Sequence, residues 1–393
     1  MTVPLPLDGI RVIDFTQVML GPCATQMLGD YGADVIKIER PGSGDLSRWA
    51  ISDPAGLDNP VFCSLNRNKR SIALDLRGEA GKAVIRDLVR DADVVVSNFR
   101  AGVMERMGFG YADLRALNKR IIYAFGSGFG PVGPNAHKGG QDVLAQALTG
   151  VMMRKSDAAH ALAIYPTALA DYSAGMHLFQ GILLALLQRQ RSGEGQAINV
   201  SLYNSMLAMQ MQEAAMWLMR ERELNWGAMP LSGAFATSDG ALVMVGAFKT
   251  NPLQEICIAL GIDDLSADPR YATPEKQAAE RPVLQAIFRE RFATNTTDYW
   301  IARLERQDLL CAPVRSLAEA LDDPQTEVNA MIVETKGDSE TVRLVGSPLD
   351  MSASPFAIRR PPPPLGAHGA AILAEFGYDA GRIAELKATK VLG

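Results

Sequence analysis

Short β-branched runs alternate with helical segments through the first third of this 393-residue chain, and that alternation admits few architectures. Gly9-Ile-Arg-Val-Ile-Asp14-Phe reads as a strand running into the loop Thr16-Gln-Val-Met-Leu-Gly21-Pro22. A helix is expected over residues 24–31 with Gly32 as its stop, then a strand Asp34-Val-Ile-Lys-Ile-Glu39. Strand, loop, helix and strand within about thirty residues form a βαβ unit, the crossover that parallel strands need. A second round follows: strand Ser71-Ile-Ala-Leu-Asp75, helix 81–90, strand Ala92-Asp-Val-Val-Val-Ser97 and strand Ile121-Ile-Tyr-Ala-Phe125. The expected class is α/β, a doubly wound domain.

Ligands of such sheets bind at the carboxyl ends of the strands. That rule selects the loops 17–22, 40–48 and 98–100, and Gly126-Ser-Gly-Phe-Gly-Pro131. Glycines at 126, 128 and 130 would let backbone N–H groups approach an anion or a developing oxyanion, although such glycines also simply make turns. There is no Gly-x-Gly-x-x-Gly fingerprint and no P-loop lysine.

Asp171 stands before a long run of helical periodicity with apolar residues at Leu178, Ile182, Ala185 and Leu186. Aspartate favours the N-cap, where the helix dipole suits a negative charge; a carboxylate held there can cap, bind a metal or attack a carbonyl carbon.

Beyond it, a strand over 197–202 leads to a Met-rich helical segment, 205–219, whose methionines suit core or interface packing. Composition changes near Asn225-Trp-Gly. Phe235-Ala-Thr-Ser-Asp-Gly240-Ala-Leu-Val-Met-Val reads as a hairpin with an Asp-Gly turn. Helices are expected over 252–260, 281–292 and 297–306, the last capped by Thr296 or Thr297. Lys336-Gly-Asp-Ser turns a further hairpin, Arg359-Arg-Pro-Pro-Pro-Pro-Leu365 is a stiff connector, and a helix over 370–376 returns to the first domain. The expected layout is a large α/β domain over 1–200, a linker 201–224, a small α+β domain 225–330, and a return linker with the rest of the large domain over 331–393.

The net charge of −5 argues against general affinity for nucleic acid or anionic membranes. No apolar run is long enough to span a bilayer, and the N-terminus lacks the pattern of a signal peptide. Cys23, Cys63, Cys257 and Cys311 are too dispersed for a zinc knuckle or redox pair, and His137, His160, His177 and His368 form no metal-ligand spacing. Free thiols and a cytoplasmic location are the expectation.

Several motifs then fall in one order: Leu7-Asp-Gly-Ile-Arg-Val-Ile-Asp14, Gly21-Pro22, Leu28-Gly-Asp-Tyr-Gly-Ala-Asp-Val-Ile-Lys-Ile-Glu-Arg40, Gly42-Ser-Gly-Asp45, Asn66-Arg-Asn-Lys-Arg-Ser-Ile72, Asn98-Phe99, Gly126-Ser-Gly-Phe-Gly130 and Gly193-Glu-Gly-Gln196. With them the chain resembles the family III CoA-transferases, the group of formyl-CoA:oxalate, carnitine and bile-acid CoA-transferases. The resemblance implies a Rossmann-like large domain built from both chain ends, a smaller inserted domain, and a homodimer of two interlocked chains. It places the family's nucleophilic aspartate on Asp171. It places CoA-binding positions on Gln17, Val18, Arg40, Leu74 and Arg77, and on Asn98, Phe99, Arg106 and Met107; Lys138 sits one place from a lysine that some members use. Arg40 and Arg106 suit phosphate by bidentate geometry. Read alone, Arg77 and Arg106 are equally solvated helix charges, and Phe99 a core residue. The implied substrates are an acyl-CoA thioester and an organic acid, with no metal or permanently bound cofactor.

The chain departs from the family pattern at Met19, where oxalate-using relatives carry glutamine, and shows no glycine-rich shielding loop between Trp226 and Phe248. Racemases of the same fold use a His-Asp pair where this chain has Gln141-Asp142; glutamine is no base near neutral pH, and His177 lies round the helix from Asp171. A 2-methylacyl-CoA racemase or epimerase therefore ranks behind a CoA-transferase, as does a catalytically silent CoA-binding protein.

Overall fold

The computed structural model describes residues 4–52, 59–155, 162–337 and 341–393. His160, and Asp338 and Ser339 of the expected hairpin turn, lie outside the described residues. The chain divides into two compact units, one within Met1–Thr149, Ile164–Gln210 and Gln325–Gly393, the other within Gly150–Ala163 and Met211–Pro324.

The first unit begins with β1 (Arg11–Asp14), α1 (Leu20–Asp30), β2 (Asp34–Glu39), α2 (Pro60–Cys63), β3 (Lys69–Ala73), α3 (Glu79–Arg90) and β4 (Val94–Ser97). It continues with α4 (Val103–Met107), α5 (Tyr111–Leu117), β5 (Ile122–Ser127), α6 (Asp142–Leu148), α7 (Leu169–Ser192), β6 (Ala197–Ser201) and α8 (Leu202–Met209). The six strands pair in parallel in the order β3-β2-β1-β4-β5-β6. This is the doubly wound order, and it reverses between β1 and β4. Strands buried on both faces need continuous apolar runs, and Val94, Val95 and Val96 are fully buried. They pack with Ile13, Ile36, Leu88, Met104 and Tyr123 in one core.

The second unit holds α9 (Met211–Arg220), β7 (Ser232–Ala236), β8 (Ala241–Val245), α10 (Pro252–Leu260), α11 (Pro274–Ala279), α12 (Arg281–Phe292), α13 (Thr297–Arg306), β9 (Leu310–Pro313) and α14 (Leu317–Leu321). β7, β8 and β9 form an antiparallel sheet packed around Phe235, Phe288, Phe292 and Trp300. The expected Asp-Gly hairpin is β7–β8, and Thr296 caps α13. The single Met-rich helix expected over 205–219 is two helices. They part at Gln210, whose buried Nε2 donates to Met206 O and Thr149 O and holds it in the first unit. The expected linker 201–224 is thus largely helical, with α8 in the first unit and α9 in the second.

The chain then returns through α15 (Pro324–Val328), the hairpin β10 (Ile332–Lys336) and β11 (Thr341–Val345), α16 (Gly369–Glu375) and α17 (Ala380–Ala388). This last stretch closes the β3 edge. Asn68 N–H donates to Arg360 O, His368 N–H to Ser71 O, Asp75 N–H to Val391 O and Gly393 N–H to Ala73 O. Ile372 and Leu386 join the core of the first unit.

β3 starts at Lys69, earlier than expected from its apolar residues, because charged side chains of this sheet are paired inside the protein. Lys37 lies 2.7 Å from Asp45 and Lys69 3.2 Å from Asp14, with all four side chains fully buried. Burial would raise the Asp14 carboxyl, but Lys69 and Lys37 outweigh it and hold the group at about 2. Burial depresses Lys69 to about 8 despite Asp14. Breaking a buried pair leaves an uncompensated charge. Lys37→Met is expected to destabilise the protein by about 3–5 kcal/mol, read as a lower thermal midpoint than the parent's; an unchanged midpoint would show that the pair contributes nothing.

Candidate active site

The loops at the carboxyl edge of the sheet carry the candidate ligand-binding residues. Where the strand order reverses, Gln17 after β1 meets Asn98 after β4. Gln17 N–H donates to Asn98 Oδ1 at 2.8 Å, and Asn98 Nδ2 donates to Gln17 O at 2.7 Å. Val18 adopts φ +66°, a costly conformation for a β-branched residue, and its N–H donates to Asp45 Oδ1 at 3.1 Å. Its side chain stays exposed. Arg40 follows β2 and is exposed. Leu74 and Arg77 follow β3; Leu74 is buried, and Arg77 reaches solvent but pairs with Asp75 at 2.7 Å. Arg40 also acts on Asp75, so the two arginines face one carboxylate. Phe99 and Met107 pack against the core while remaining partly exposed. Arg106 on α4 lies over Gly102, and Lys138 is exposed on the loop after β5. The sheet thus brings Gln17 and Asn98 into direct contact, with Val18 next in the chain; Arg77, Arg106 and Lys138 stand on its rim.

Asp171 is not the N-cap of α7 but its third residue. The cap position belongs to Ala168, which offers no side-chain acceptor. The helix starts earlier than the apolar pattern shows because another carboxylate caps it: Asp142 Oδ2, from α6, accepts from Ala170 N–H at 2.7 Å and Asp171 N–H at 3.0 Å. Ala170, Ala174, Leu178, Ile182 and Ala185 form the buried stripe of α7. The Asp171 carboxylate is half-buried and lies near the N–H of Leu20, the first residue of α1. Burial and the neighbouring Asp142 charge raise its pKa to about 6, against the lowering effect of Leu20.

Close approach of the elements sets this geometry. A Cβ on Gly175 would stand 2.8 Å from Leu20 O and 3.0 Å from Cys23 Cβ, so glycine lets α1 and α7 meet. A Cβ on Gly126 would meet Leu20 Cδ2 at 2.4 Å, and one on Gly128 would meet Gly140 Cα at 2.4 Å. Gly130 turns the chain at φ +88°, and its N–H donates to Ser127 Oγ at 2.9 Å. The glycine loop therefore lets three segments close up, the β1–α1 loop, the loop itself and the start of α6.

Sequence reasoning did not find the Leu20 N–H, nor Asp142 as a partner of Asp171. A backbone donor leaves no residue-type signal; Asp142 at the start of a helix, just after Gly139-Gly140, was the one visible sign. Cys23 is buried where α1 meets α7, and with Met27, Arg67 and Tyr172 it lines a cavity of about 220 Å³. His177 bonds Ser205 Oγ at 2.9 Å.

Comparison with known proteins bears on the family of the chain. The profile of CoA-transferase family III matches residues 7–369. An acyl-CoA transferase of Fusarium pseudograminearum is 36% identical, over 97% of this chain and 87% of its own length. A mouse succinyl-CoA:glutarate CoA-transferase is 33% identical over 98% and 90%, and a formyl-CoA:oxalate CoA-transferase of Escherichia coli 34% identical over 97% and 98%. The crystal structure of a CAIB/BAIF family protein from Brucella suis superimposes with a TM-score of 0.85 at 31% identity, covering 95% of this chain and all of the other. Motifs, sheet order and relatives coincide over nearly the whole length, and the chain belongs to CoA-transferase family III.

Proposed function

We propose that this protein moves CoA from an acyl-CoA thioester to a free carboxylic acid through a covalent intermediate on Asp171. The observation that carries the reading is a half-buried carboxylate beside the carboxyl edge of the sheet that lies near a backbone N–H but, among the described residues, has no cation on it. Such a group is ionised near neutral pH yet little stabilised as an anion, which suits a nucleophile.

The Asp171 carboxylate attacks the donor thioester carbonyl and expels CoA thiolate, leaving a mixed anhydride. The thiolate attacks the aspartyl carbonyl of the anhydride, releasing the donor acid and forming an aspartyl-CoA thioester. The acceptor carboxylate attacks that thioester and expels thiolate again. The thiolate then takes the acceptor acyl group and frees Asp171. Each attack places negative charge on a carbonyl oxygen, which backbone N–H groups can stabilise. Since the Gly130 N–H is already bonded, the oxyanion draws on other N–H groups of the loop bearing Gly126 and Gly128. Gln17, Val18 and Asn98 cradle the CoA, with Phe99 and Met107, which pack against the core that holds Leu74, as its apolar support. Arg40, Arg77, Arg106 and Lys138 meet its phosphates. The acceptor is a dicarboxylate longer than oxalate. Met19 in place of glutamine supports this, as do relatives named for succinate and glutarate.

Racemisation finds less support. Gln141, the N-cap of α6, cannot accept an α-proton near neutral pH, and His177 is bonded to Ser205 further along α7.

We also infer a homodimer. α9 carries no buried residue, and its Trp217, Leu218 and Met219 are 55%, 82% and 66% exposed. A contiguous apolar face of that kind marks a protein interface, and a second copy of this chain covers it in the interlocked assembly. Light scattering after size exclusion should give a dimer mass; a monomer at micromolar concentration would remove this part of the proposal.

Asp171→Asn should lower CoA exchange between succinyl-CoA and glutarate by at least about 10³-fold, as loss of a nucleophile does. Hydroxylamine added during turnover should leave a hydroxamate on residue 171 of the parent, found by peptide mass spectrometry. Full activity of the variant, or modification of another residue alone, would sink the mechanism. Because Asp171 must lose its proton to attack, kcat/KM for the acyl-CoA should rise with pH to a plateau through a limb at about 6. A flat profile between about pH 5 and pH 8 would contradict that role.

A further inference from the structure

The first turn of a helix offers unpaired N–H groups, and a carboxylate within that turn readily folds back onto them. Asp171 sits in that turn yet faces α1 instead. The N–H groups of Ala170 and Asp171 are taken by Asp142 Oδ2, at 2.7 and 3.0 Å. Asp142 is itself held from behind. Gln146, one turn along α6, donates from Nε2 to Asp142 Oδ1 at 2.6 Å. The Gln146 amide is fixed in turn by the strand-like stretch leading into α7: its Oε1 accepts from Tyr165 N–H at 3.1 Å, and its Nε2 also reaches Tyr165 O at 3.3 Å and Thr167 O at 3.4 Å. Both side chains are buried.

We propose that Asp142 is a positioning residue for the nucleophile: its carboxylate occupies the leading N–H groups of α7 and so keeps the Asp171 carboxylate off its own helix end, turned towards the start of α1. The proposal rests on the reading of Asp171 as the nucleophile and adds a division of labour between two carboxylates. Asp142 takes three hydrogen bonds, from Ala170, Asp171 and Gln146. Among the described residues Asp171 has only the nearby Leu20 N–H to favour its anion, and feels the like charge of Asp142. Its lone pairs are therefore both available and basic. An Asp171 bonded to its own helix end would be a weaker base and would point along α7 rather than across to α1.

Other titratable groups around Asp171 do not account for this. Cys23 on α1 is a buried thiol pushed up to about 11, and Tyr172 beside it is raised by burial, so both are neutral where Asp171 titrates. Lys69 and Arg67 act on Cys23 but are bonded elsewhere, to Asp14 and Asp30. His177 is held by Ser205 of α8.

Two variants test the proposal. Asp142→Asn keeps an oxygen acceptor and removes the charge; Asp142→Ser keeps a capping hydroxyl and serves where the first variant does not fold. The expected result is a limb of kcat/KM that moves down by about one pH unit, a tenfold weaker hold on the proton, with KM for the acyl-CoA unchanged. A residue that only stabilised the fold would change neither limb nor balance between kcat and KM. A second readout needs no turnover. Ionising Asp171 costs the folded state stability as pH rises towards and through about 6, so Asp171→Asn should gain thermal midpoint over its parent with rising pH. That gain should shrink when Asp142→Asn is also present. A limb and a stability gain that both stay where they were, in folded variants, would overturn the proposal. Absence of CoA exchange in the parent would instead remove the nucleophile reading, and the stability readout would still decide the role of Asp142.

Discussion

Four buried charges determine where this site can stand. Lys37, Lys69, Asp14 and Asp45 lie on three neighbouring strands and one loop with no exposure to solvent. Burying any one alone would cost several kcal/mol. Alternating in sign, they offset one another, and each lysine keeps a proton to spare for the backbone. Lys37 Nζ donates to Thr16 O at 2.8 Å, and Lys69 Nζ reaches Pro22 O at 3.3 Å. These carbonyls flank residues 17–21, the loop that carries Gln17, Val18 and the Leu20 N–H. Asp14 grips the same loop through Thr16 N–H and through Thr25 of α1. Apolar side chains could fill the same volume, but they could not hold a carbonyl in place.

The Asp171 carboxylate answers to a balance of opposed effects. Burial and the Asp142 charge favour its protonated form; the Leu20 N–H at the positive end of α1 favours its anion. Stronger donors would produce a stable, inert carboxylate, like Asp14 held at about 2. Without the donor the group would hold its proton more tightly. That balance holds the group at about 6 and, among the described residues, arises from where two helices begin rather than from a cation.

The architecture was legible because parallel strands demand buried apolar runs and crossovers. Val94–Ser97 and Asp34–Glu39 announce themselves through their β-branched residues. The edges of elements were less so. β3 opens on Lys69 and Arg70, charges that no propensity assigns to a buried strand, because their partners Asp14 and Asp34 come from other strands. The break at Gln210 depends on a carbonyl sixty residues away at Thr149. At the site, Asp171 was visible through its helix and through family motifs. Its environment was not: Leu20, Gly175 and Asp142 act through backbone groups and close approach, which sequence spacing does not encode. For the same reason the glycines at 126 and 128 could be seen as special, while their use, to let Leu20 and Gly140 come near, could not.

The first unit is also the last to be complete. Its β3 edge is closed by residues 357–393, which follow the whole second unit in the chain. During synthesis the ribosome therefore releases a sheet with one open, strand-ready border, and keeps it so while more than half of the chain emerges. Asn68 Oδ1, which accepts from Arg359 and Arg360 N–H when the protein is whole, lacks these two donors until then. The nascent protein must be guarded from edge-to-edge association over that interval, and a chain cut short near its end would carry every residue of the candidate site on a sheet it cannot seal.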